Sequence, residues 1–264
     1  MAPSPATPSM TELVDVGGYR LGTHLAHPDL LLDSRPGVVL CHGFPVRGRE
    51  SPASGLSFPE LADRIARDLG WTALAFNFRG CGLSDGDFSV DAWWADIVAA
   101  ARHVLAQGAR RVWLVGFGTG GLLALRAAVE MKEVQGVASA AAPADLRDWA
   151  RHPRQLLDES RRVGVVKTEG FPARFGDWAA ELAIDAADAA QLLAPRPLLV
   201  LHGEMDDLVP NFDGRTIADA HGDAELRILP GGGHELRHDP RAVAILMGWL
   251  SRMNDDATLA QFTD

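Results

Sequence analysis

Short, mostly apolar runs alternate with segments of helical period along most of this 264-residue chain. Runs of this kind are typical of strands that are buried on both faces. They fall at residues 37–41, 71–76, 111–115, 134–140, 197–201 and 225–229. Helical segments lie at residues 57–69, where 57–60 offer a capping box, at 91–107, up to about 131 and from 239 onwards. The alternation predicts an α/β fold with a mostly parallel central sheet and helices on both faces.

The two ends of the chain are predicted to differ from the middle. Residues 11–16 and 19–26, separated by a pair of glycines, predict an opening β-hairpin. Residues 1–10 and 253–264 are biased in composition, and we expect both to be loose termini. No linker divides the chain between them. We therefore expect a single domain over residues 11–252.

A lid is predicted in the longest stretch between two strands, residues 141–196. This stretch is longer than a crossover helix needs. Within it, residues 151–162 and 178–193 have helical patterns. Because ligands bind outside the carboxyl ends of the strands in such sheets, we expect a small helical lid at about residues 144–193, over that edge.

Composition and charge limit the class of function. Asp and Glu number 35 against 25 Lys and Arg, a formal net charge of −10, which argues against a nucleic-acid partner. No basic amphipathic helix suggests a membrane surface, and no apolar run is long enough to span a bilayer. The N-terminus lacks the features of a signal peptide. We expect a cytoplasmic protein with no membrane partner.

Neither a metal nor an organic cofactor is expected from the sequence. The two cysteines, Cys41 and Cys81, do not have paired metal or redox spacing. The glycines of residues 116–121 come late in the predicted sheet and lack the acidic partner strand of a dinucleotide-binding fold. The sequence leaves the oligomeric state open.

Four motifs follow predicted strands. They read CHGF at 41–44, FNFRGCGLS at 76–84, GFGTG at 116–120, and HGEMDDLVP at 202–210 paired with GGGH at 231–234. In this order and spacing they resemble the motifs of the α/β-hydrolase family over about residues 37–250. The resemblance implies the α/β-hydrolase fold. It gives Arg79 and Ser84 a structural role in their loop.

The resemblance also assigns roles at the reacting centre. Asp206 takes the place of the triad acid, with Asp207 as a near competitor, and His234 takes the place of the base. The backbone amides of Phe44 and Thr119 take the places of the two donors to an oxyanion.

Gly118 stands where the nucleophilic serine of the G-x-S-x-G pattern belongs, between Gly116 and Gly120. Because glycine has no hydroxyl, conventional Ser-His-Asp catalysis by this chain is disfavoured. Two other nucleophiles are weak alternatives. Thr119 is displaced by one residue through a tight turn, and Cys81 has no base placed beside it.

Three functions fit this pattern. The first is binding of a small, partly apolar carbonyl compound, with at most weak or non-serine hydrolytic chemistry from His234 and Asp206. The second is hydrolysis of carboxylic esters, amides or thioesters, by water activated at His234 or by a serine hydrolase of which this chain is an inactivated form. The third is a non-catalytic protein-interaction module. We take the first as the working hypothesis.

The candidate substrate-binding residues are mostly aromatic. They are His42, Phe117, Trp149, Phe171, Phe175 and Trp178. Those within the predicted lid are numerous enough to line an apolar pocket, and they would serve equally to pack the lid onto the core. A small molecule is the expected ligand.

Overall fold

The sheet contains eight strands in the order β1-β2-β4-β3-β5-β6-β7-β8. The computed structural model describes residues 12–16, 18–28, 35–46 and 52–259, without the side chains of residues 16, 52–57 and 254–259. The predicted loose N-terminus, residues 1–10, lies outside these ranges.

The strands are β1 (Glu12–Val16), β2 (Tyr19–Ala26), β3 (Gly37–Cys41), β4 (Thr72–Phe76), β5 (Val112–Phe117), β6 (Val134–Ala140), β7 (Leu198–Gly203) and β8 (Glu225–Leu229). β1 and β2 form the predicted hairpin, and β2 also runs antiparallel to β4. From β4 to β8, all neighbouring strands are parallel. The predicted mostly parallel sheet is confirmed.

Helices cover both faces of the sheet. They are α1 (Pro52–Leu69), α2 (Val90–Ala106), α3 (Thr119–Glu130), α4 (Arg147–Arg151), α5 (Pro153–Arg162), α6 (Phe175–Ala180), α7 (Ala186–Leu193), α8 (Asn211–His221) and α9 (Pro240–Leu259). The cluster of buried side chains on one face includes α2, α3, α7 and α8, and that on the other includes α1 and α9. In the described part of the chain, no helix has the length and apolar character needed to cross a membrane.

The side chains of the central strands alternate between these two clusters. In β3, Val39 packs on the side of α2 and α3, whereas Val38 and Leu40 pack on the side of α1 and α9. A period of two along a strand produces this alternation. Because helices cover both faces, every residue of β3 and β4 is buried. This burial explains why the strands read as uninterrupted apolar runs.

Three helix predictions need correction. The sequence pattern did not predict α8, which contains the poor helix former Gly214. Glycine fits there because an added Cβ would lie 2.7 Å from Nδ1 of His202. α1 begins at Pro52, before the start that the capping box at residues 57–60 predicted. α9 continues to Leu259, so the predicted loose tail is helical as far as that residue.

The lid predicted at residues 144–193 extends too far at its C-terminal end. α7 buries Ala186, Ala190 and Leu193, and it packs against α3 and α8. It is therefore the crossover helix between β6 and β7. We use the word lid below for α4, α5, α6 and the loops that join them.

Hydrogen bonds fasten the lid to the loop between β4 and α2. The carboxylate of Asp87 accepts the amides of Lys167 and Thr168 at 2.6 and 3.0 Å. The indole Nε1 of Trp178 donates to the carbonyl of Phe88 at 3.2 Å. Two adjacent residues of the core thus fix two separate parts of the lid.

A buried ion pair holds the loop after β4 against α2. Nε of Arg79 donates to Oδ1 of Asp96 at 2.6 Å, and the Arg79 amide donates to Oδ2 at 2.9 Å. Burial raises the pKa of the Asp96 carboxyl to about 6, although Arg79 acts to lower it. Ser84 donates its hydroxyl to the carbonyl of Asn77 at 2.6 Å. The structural roles predicted for Arg79 and Ser84 are confirmed.

Replacing Asp96 by Asn should lower the free energy of unfolding by about 3 kcal/mol, because Arg79 is then left without its buried counter-charge. Urea unfolding measures this change. The matched control is Asp158→Asn, which removes a solvent-exposed partner of Arg161 and should cost less than about 1 kcal/mol. Equal losses in the two variants would contradict a special role for the buried pair.

Candidate active site

Residues 116–121 turn sharply from β5 into α3. At the turn Gly118 has φ 54° and ψ −129°, a combination that residues with side chains adopt only under strain. Its N–H donates to the carbonyl of Ala140 at 2.8 Å, and its own carbonyl accepts from the Gly121 amide at 2.9 Å. The backbone thus has the strained form of a nucleophile turn, although the residue is glycine.

Two flanking glycines let α3 approach the sheet closely. A Cβ on Gly116 would overlap the carbonyl of Gly120, and a Cβ on Gly120 would overlap the carbonyl of His42. Neither position accepts a side chain, because interiors are close-packed and these neighbours are backbone atoms. The end of β3, the turn and the first residues of α3 are therefore in direct contact.

His234 and Asp206 lie in the loops that follow β8 and β7. Nδ1 of His234 donates to Asp206, at 2.9 Å from Oδ2 and 3.1 Å from Oδ1. The amides of Leu208 and Val209 also donate to Oδ1, each at 2.9 Å. Asp206, rather than its neighbour Asp207, thus meets His234, and this resolves the choice that the sequence left open.

The surroundings of Asp206 keep it ionised. Burial acts to raise the pKa of this carboxyl, but hydrogen bonds from His202, His234 and the Val209 amide outweigh burial and hold the pKa well below its ordinary value. A charged carboxylate next to Nδ1 fixes the ring of His234 with that nitrogen protonated. The other nitrogen, Nε2, is left as the proton acceptor.

His202 braces the acid, a role that the sequence analysis missed. Its fully buried ring places Nε2 3.0 Å from the carbonyl of Val209 and 3.5 Å from Oδ2 of Asp206. The sequence signal is its spacing in the 202–210 motif, because His202 precedes the acid by four residues. We assign it as a positioning residue.

The ring of His234 faces the turn at Gly118. A Cβ built on Gly118 would lie 3.6 Å from Nε2 of His234 and 3.5 Å from Cα of Gly43. Both are ordinary van der Waals distances. A serine at this position would therefore fit without a clash, with its hydroxyl close to the base.

Two backbone amides beside the turn have no partner. In the described part of the chain, neither the Phe44 amide nor the Thr119 amide has a hydrogen-bond acceptor. Phe44 lies in the loop after β3, and Thr119 is the first residue of α3. The N-terminus of a helix carries a partial positive charge. Both donors are available to an oxygen that develops negative charge.

His42 does not have the substrate-binding position predicted for it. Its Nδ1 donates to the carbonyl of Gly43 at 2.7 Å, and its Nε2 accepts the amide of Phe78 at 3.1 Å. Burial lowers the pKa of His42 to about 4, so the ring is neutral. Because both nitrogens are used within the protein, His42 shapes the loop that carries Phe44.

Most of the predicted aromatic residues pack rather than line a pocket. Phe117 is buried against Phe58 on the α1 and α9 face. Trp178 is buried in the opposite cluster, and Phe171 and Phe175 pack against that cluster from the lid. Their positions follow from where the lid meets the core, which the sequence pattern does not reveal.

Trp149 is the exception, because it lines a cleft of about 450 Å³ beside Phe44. The two ring centroids are 5.1 Å apart. The lining also includes Pro45, Val46, Asp148, His152, Gln155, Leu156 and Glu159. The cleft thus combines an aromatic wall with polar side chains from α4 and α5. A larger hollow of about 590 Å³, against α2, α3 and α7, includes none of the residues at the turn.

Replacing Asp206 by Asn should lower the free energy of unfolding by about 2 kcal/mol at pH 7, because a charged hydrogen-bond acceptor is lost. The native pKa is depressed, so this stabilisation is full above about pH 5 and decreases as the pH falls through about 4 and below. Urea unfolding over a pH series should show the two proteins converging in acid. Asp219→Asn, on the exposed face of α8, is the control and should change little. A difference that stays constant with pH would contradict the assignment.

Comparisons with known proteins agree with this fold. Est1E from Butyrivibrio proteoclasticus, solved with ferulic acid bound, is 19% identical with a TM-score of 0.71, covering 96% of this chain and 100% of that one. An esterase from Pyrococcus furiosus is 18% identical with a TM-score of 0.65, covering 91% and 90%. An enol-lactonase from Burkholderia xenovorans LB400 is 18% identical with a TM-score of 0.63, covering 90% and 98%.

Similarity at this level of identity establishes the fold. No curated protein matches the sequence. Residues 38–246 match the alpha/beta hydrolase family, and this match includes all but the first residue of β3, the strands β4 to β8, the turn at Gly118 and both loops that carry Asp206 and His234. The chain belongs to the α/β-hydrolase family.

Proposed function

We propose that this protein binds a small, partly apolar carbonyl compound beside the turn at Gly118. In this proposal His234 and Asp206 act on a water molecule or a substrate proton, and no acyl-enzyme forms. One observation carries the proposal: the ring of His234 faces Gly118, with Nε2 3.6 Å from where a Cβ would stand. His234 thus faces the position of the nucleophile, although that position is occupied by glycine.

The two free amides favour a carbonyl ligand. The Phe44 and Thr119 amides have no acceptor in the described part of the chain, and they come from neighbouring segments that the glycine contacts hold together. An unsatisfied donor at a ligand site is costly unless the ligand supplies an acceptor. A carbonyl oxygen supplies one, and its hydrogen bonds strengthen if the oxygen becomes an oxyanion.

The glycine limits the rate of any hydrolysis. In a bacterial serine protease, loss of the catalytic serine costs a factor of about 10⁶ in kcat, which is about 8 kcal/mol of barrier. An oxyanion hole and substrate binding alone still give about 10³–10⁴ over water. We therefore propose slow hydrolysis at most, through attack by water whose proton passes to Nε2 of His234.

The cleft beside Phe44 suits the apolar part of the ligand. Phe44 and Trp149 supply the aromatic wall, and Phe44 also carries one of the two free amides. A carbonyl held by that amide thus lies at one end of the cleft. The solved structures described as an esterase and as an enol-lactonase support a carboxylic ester as the compound.

The Gly118→Ser variant should hydrolyse short and medium nitrophenyl esters at least about 10²-fold faster than the native chain, since it restores the nucleophile to a complete scaffold. Release of nitrophenol measures both rates. The control is Gly118→Ser combined with His234→Ala, which should fall back to the native rate or below. Fast turnover by the native chain would refute the proposal. If neither the native chain nor Gly118→Ser released nitrophenol, a non-catalytic protein-interaction module would be favoured.

Trp149→Ala, made in the Gly118→Ser background, should lower kcat/KM for a phenyl-substituted ester by about tenfold, because it removes one aromatic wall of the cleft. For an acetyl ester the change should be less than about twofold, since the small acyl group does not reach Trp149. Leu192→Ala, at an exposed position on α7, is the control for a general loss of stability. Equal effects on both esters would assign Trp149 to packing.

A further inference from the structure

We infer that the native protein transfers the acyl group of its bound ester directly, without an acyl-enzyme, to a small neutral alcohol or amine that binds between Gly118 and His234. The inference rests on the proposed function, because it uses the same ester site. It adds a second substrate and a different reaction, acyl transfer in place of hydrolysis.

The space at Gly118 has the size of a small nucleophile. The Cβ position is bounded by Cα of Gly43 at 3.5 Å and by Nε2 and Cε1 of His234 at 3.6 and 3.8 Å. A serine would fill this space with one carbon and one oxygen. In our proposal a free molecule lies farther from Gly118 than a Cβ would, because a nonbonded contact is longer than a covalent bond, and this brings its O–H or N–H group towards Nε2 of His234.

The groups around that space would activate such a molecule. The Nδ1–H of His234 is taken by Asp206, so Nε2 can accept a proton from an O–H or N–H group. In the same proposal, the Phe44 and Thr119 amides donate hydrogen bonds to the carbonyl oxygen of the ester. The nucleophile and the ester are thus held side by side, which is the main contribution that a site can make to a two-substrate reaction.

The reaction balances without any further reactant. The oxygen or nitrogen of the nucleophile forms a bond to the carbonyl carbon, and its proton passes to Nε2 of His234. The carbonyl electron pair moves to the oxygen, which takes hydrogen bonds from the two amides. When the pair returns, the bond to the alcohol portion of the ester breaks, and that alcohol takes the proton from Nε2. The products are a new ester or amide and a free alcohol.

The kinetics of this reaction differ from those of a serine hydrolase. A serine enzyme forms an acyl-enzyme before the acceptor reacts and gives ping-pong kinetics. With glycine at position 118 there is no covalent intermediate. The ester and the nucleophile must therefore be bound together, and the kinetics should be sequential and saturable in both.

The test uses the full chain with a nitrophenyl ester and hydroxylamine, following both nitrophenol and hydroxamate. Hydroxamate formation by the native protein should saturate with hydroxylamine and exceed that of the His234→Asn variant by about 10²-fold. Bulky N-tert-butylhydroxylamine should give no saturable product, because the His234 ring and Gly43 limit the space. Hydroxamate that rises linearly and equally in the His234→Asn variant would overturn the inference.

Two variants at the turn provide the matched controls. Gly118→Ala puts a methyl group in contact with the His234 ring and should abolish saturation by hydroxylamine, while thermal unfolding shows that the variant remains folded. Gly118→Ser should release nitrophenol without hydroxylamine and change to ping-pong kinetics. If Gly118→Ser hydrolyses the ester but the native chain makes no hydroxamate, only this inference fails. If neither protein processes the ester, the proposed function fails with it.

Discussion

Direct backbone contact between the end of β3 and the turn from β5 into α3 is the constraint on which the site depends. Gly116 and Gly120 permit this contact, since a Cβ on either would overlap a carbonyl oxygen. The contact brings the Phe44 loop beside the first amide of α3, and it places Gly118 between them. Buried His42 donates to the carbonyl of Gly43 and accepts the amide of Phe78, two residues after β4, and these bonds keep that arrangement in place. The two amides that we propose as oxyanion donors are thus fixed by backbone packing, and their positions do not depend on a side chain at position 118.

The acid and the base are fixed by a similar contact on the other side of the site. A Cβ on Gly203 would overlap the carbonyl of Gly233, and the Met205 amide donates to the carbonyl of Gly232 at 2.8 Å. The loops after β7 and β8 therefore hold each other. Their contact brings Asp206 to the ring of His234, and hydrogen bonds from His202, His234 and backbone amides keep the carboxylate charged although burial opposes the charge.

A serine at position 118 would combine two properties, the conformation of the turn and a nucleophilic hydroxyl. Glycine has only the first. The positive φ of the turn is set by hydrogen bonds to Ala140 and Gly121, and glycine adopts it at no steric cost. The turn, the ring of His234 and the two amides therefore keep their positions although position 118 has no hydroxyl, and we propose that they form an acyl-transfer site without a covalent nucleophile. What such a site can do is decided by the molecule that occupies the space beside His234, which is why water, alcohols and amines are the informative probes.

The sequence by itself determined the strands, the sheet and the residues at the carboxyl edge. Strands that are buried on both faces have continuous apolar sequences, and close backbone contacts require glycine at fixed positions such as Gly116 and Gly120. The tertiary structure decided between Asp206 and Asp207, gave His202 its bracing contact, and left Trp149 alone among the predicted aromatic residues in the described cleft. These outcomes depend on the direction in which side chains point once distant segments meet. Local pattern records whether a residue is apolar, but only the packing of lid, loops and sheet decides what it touches.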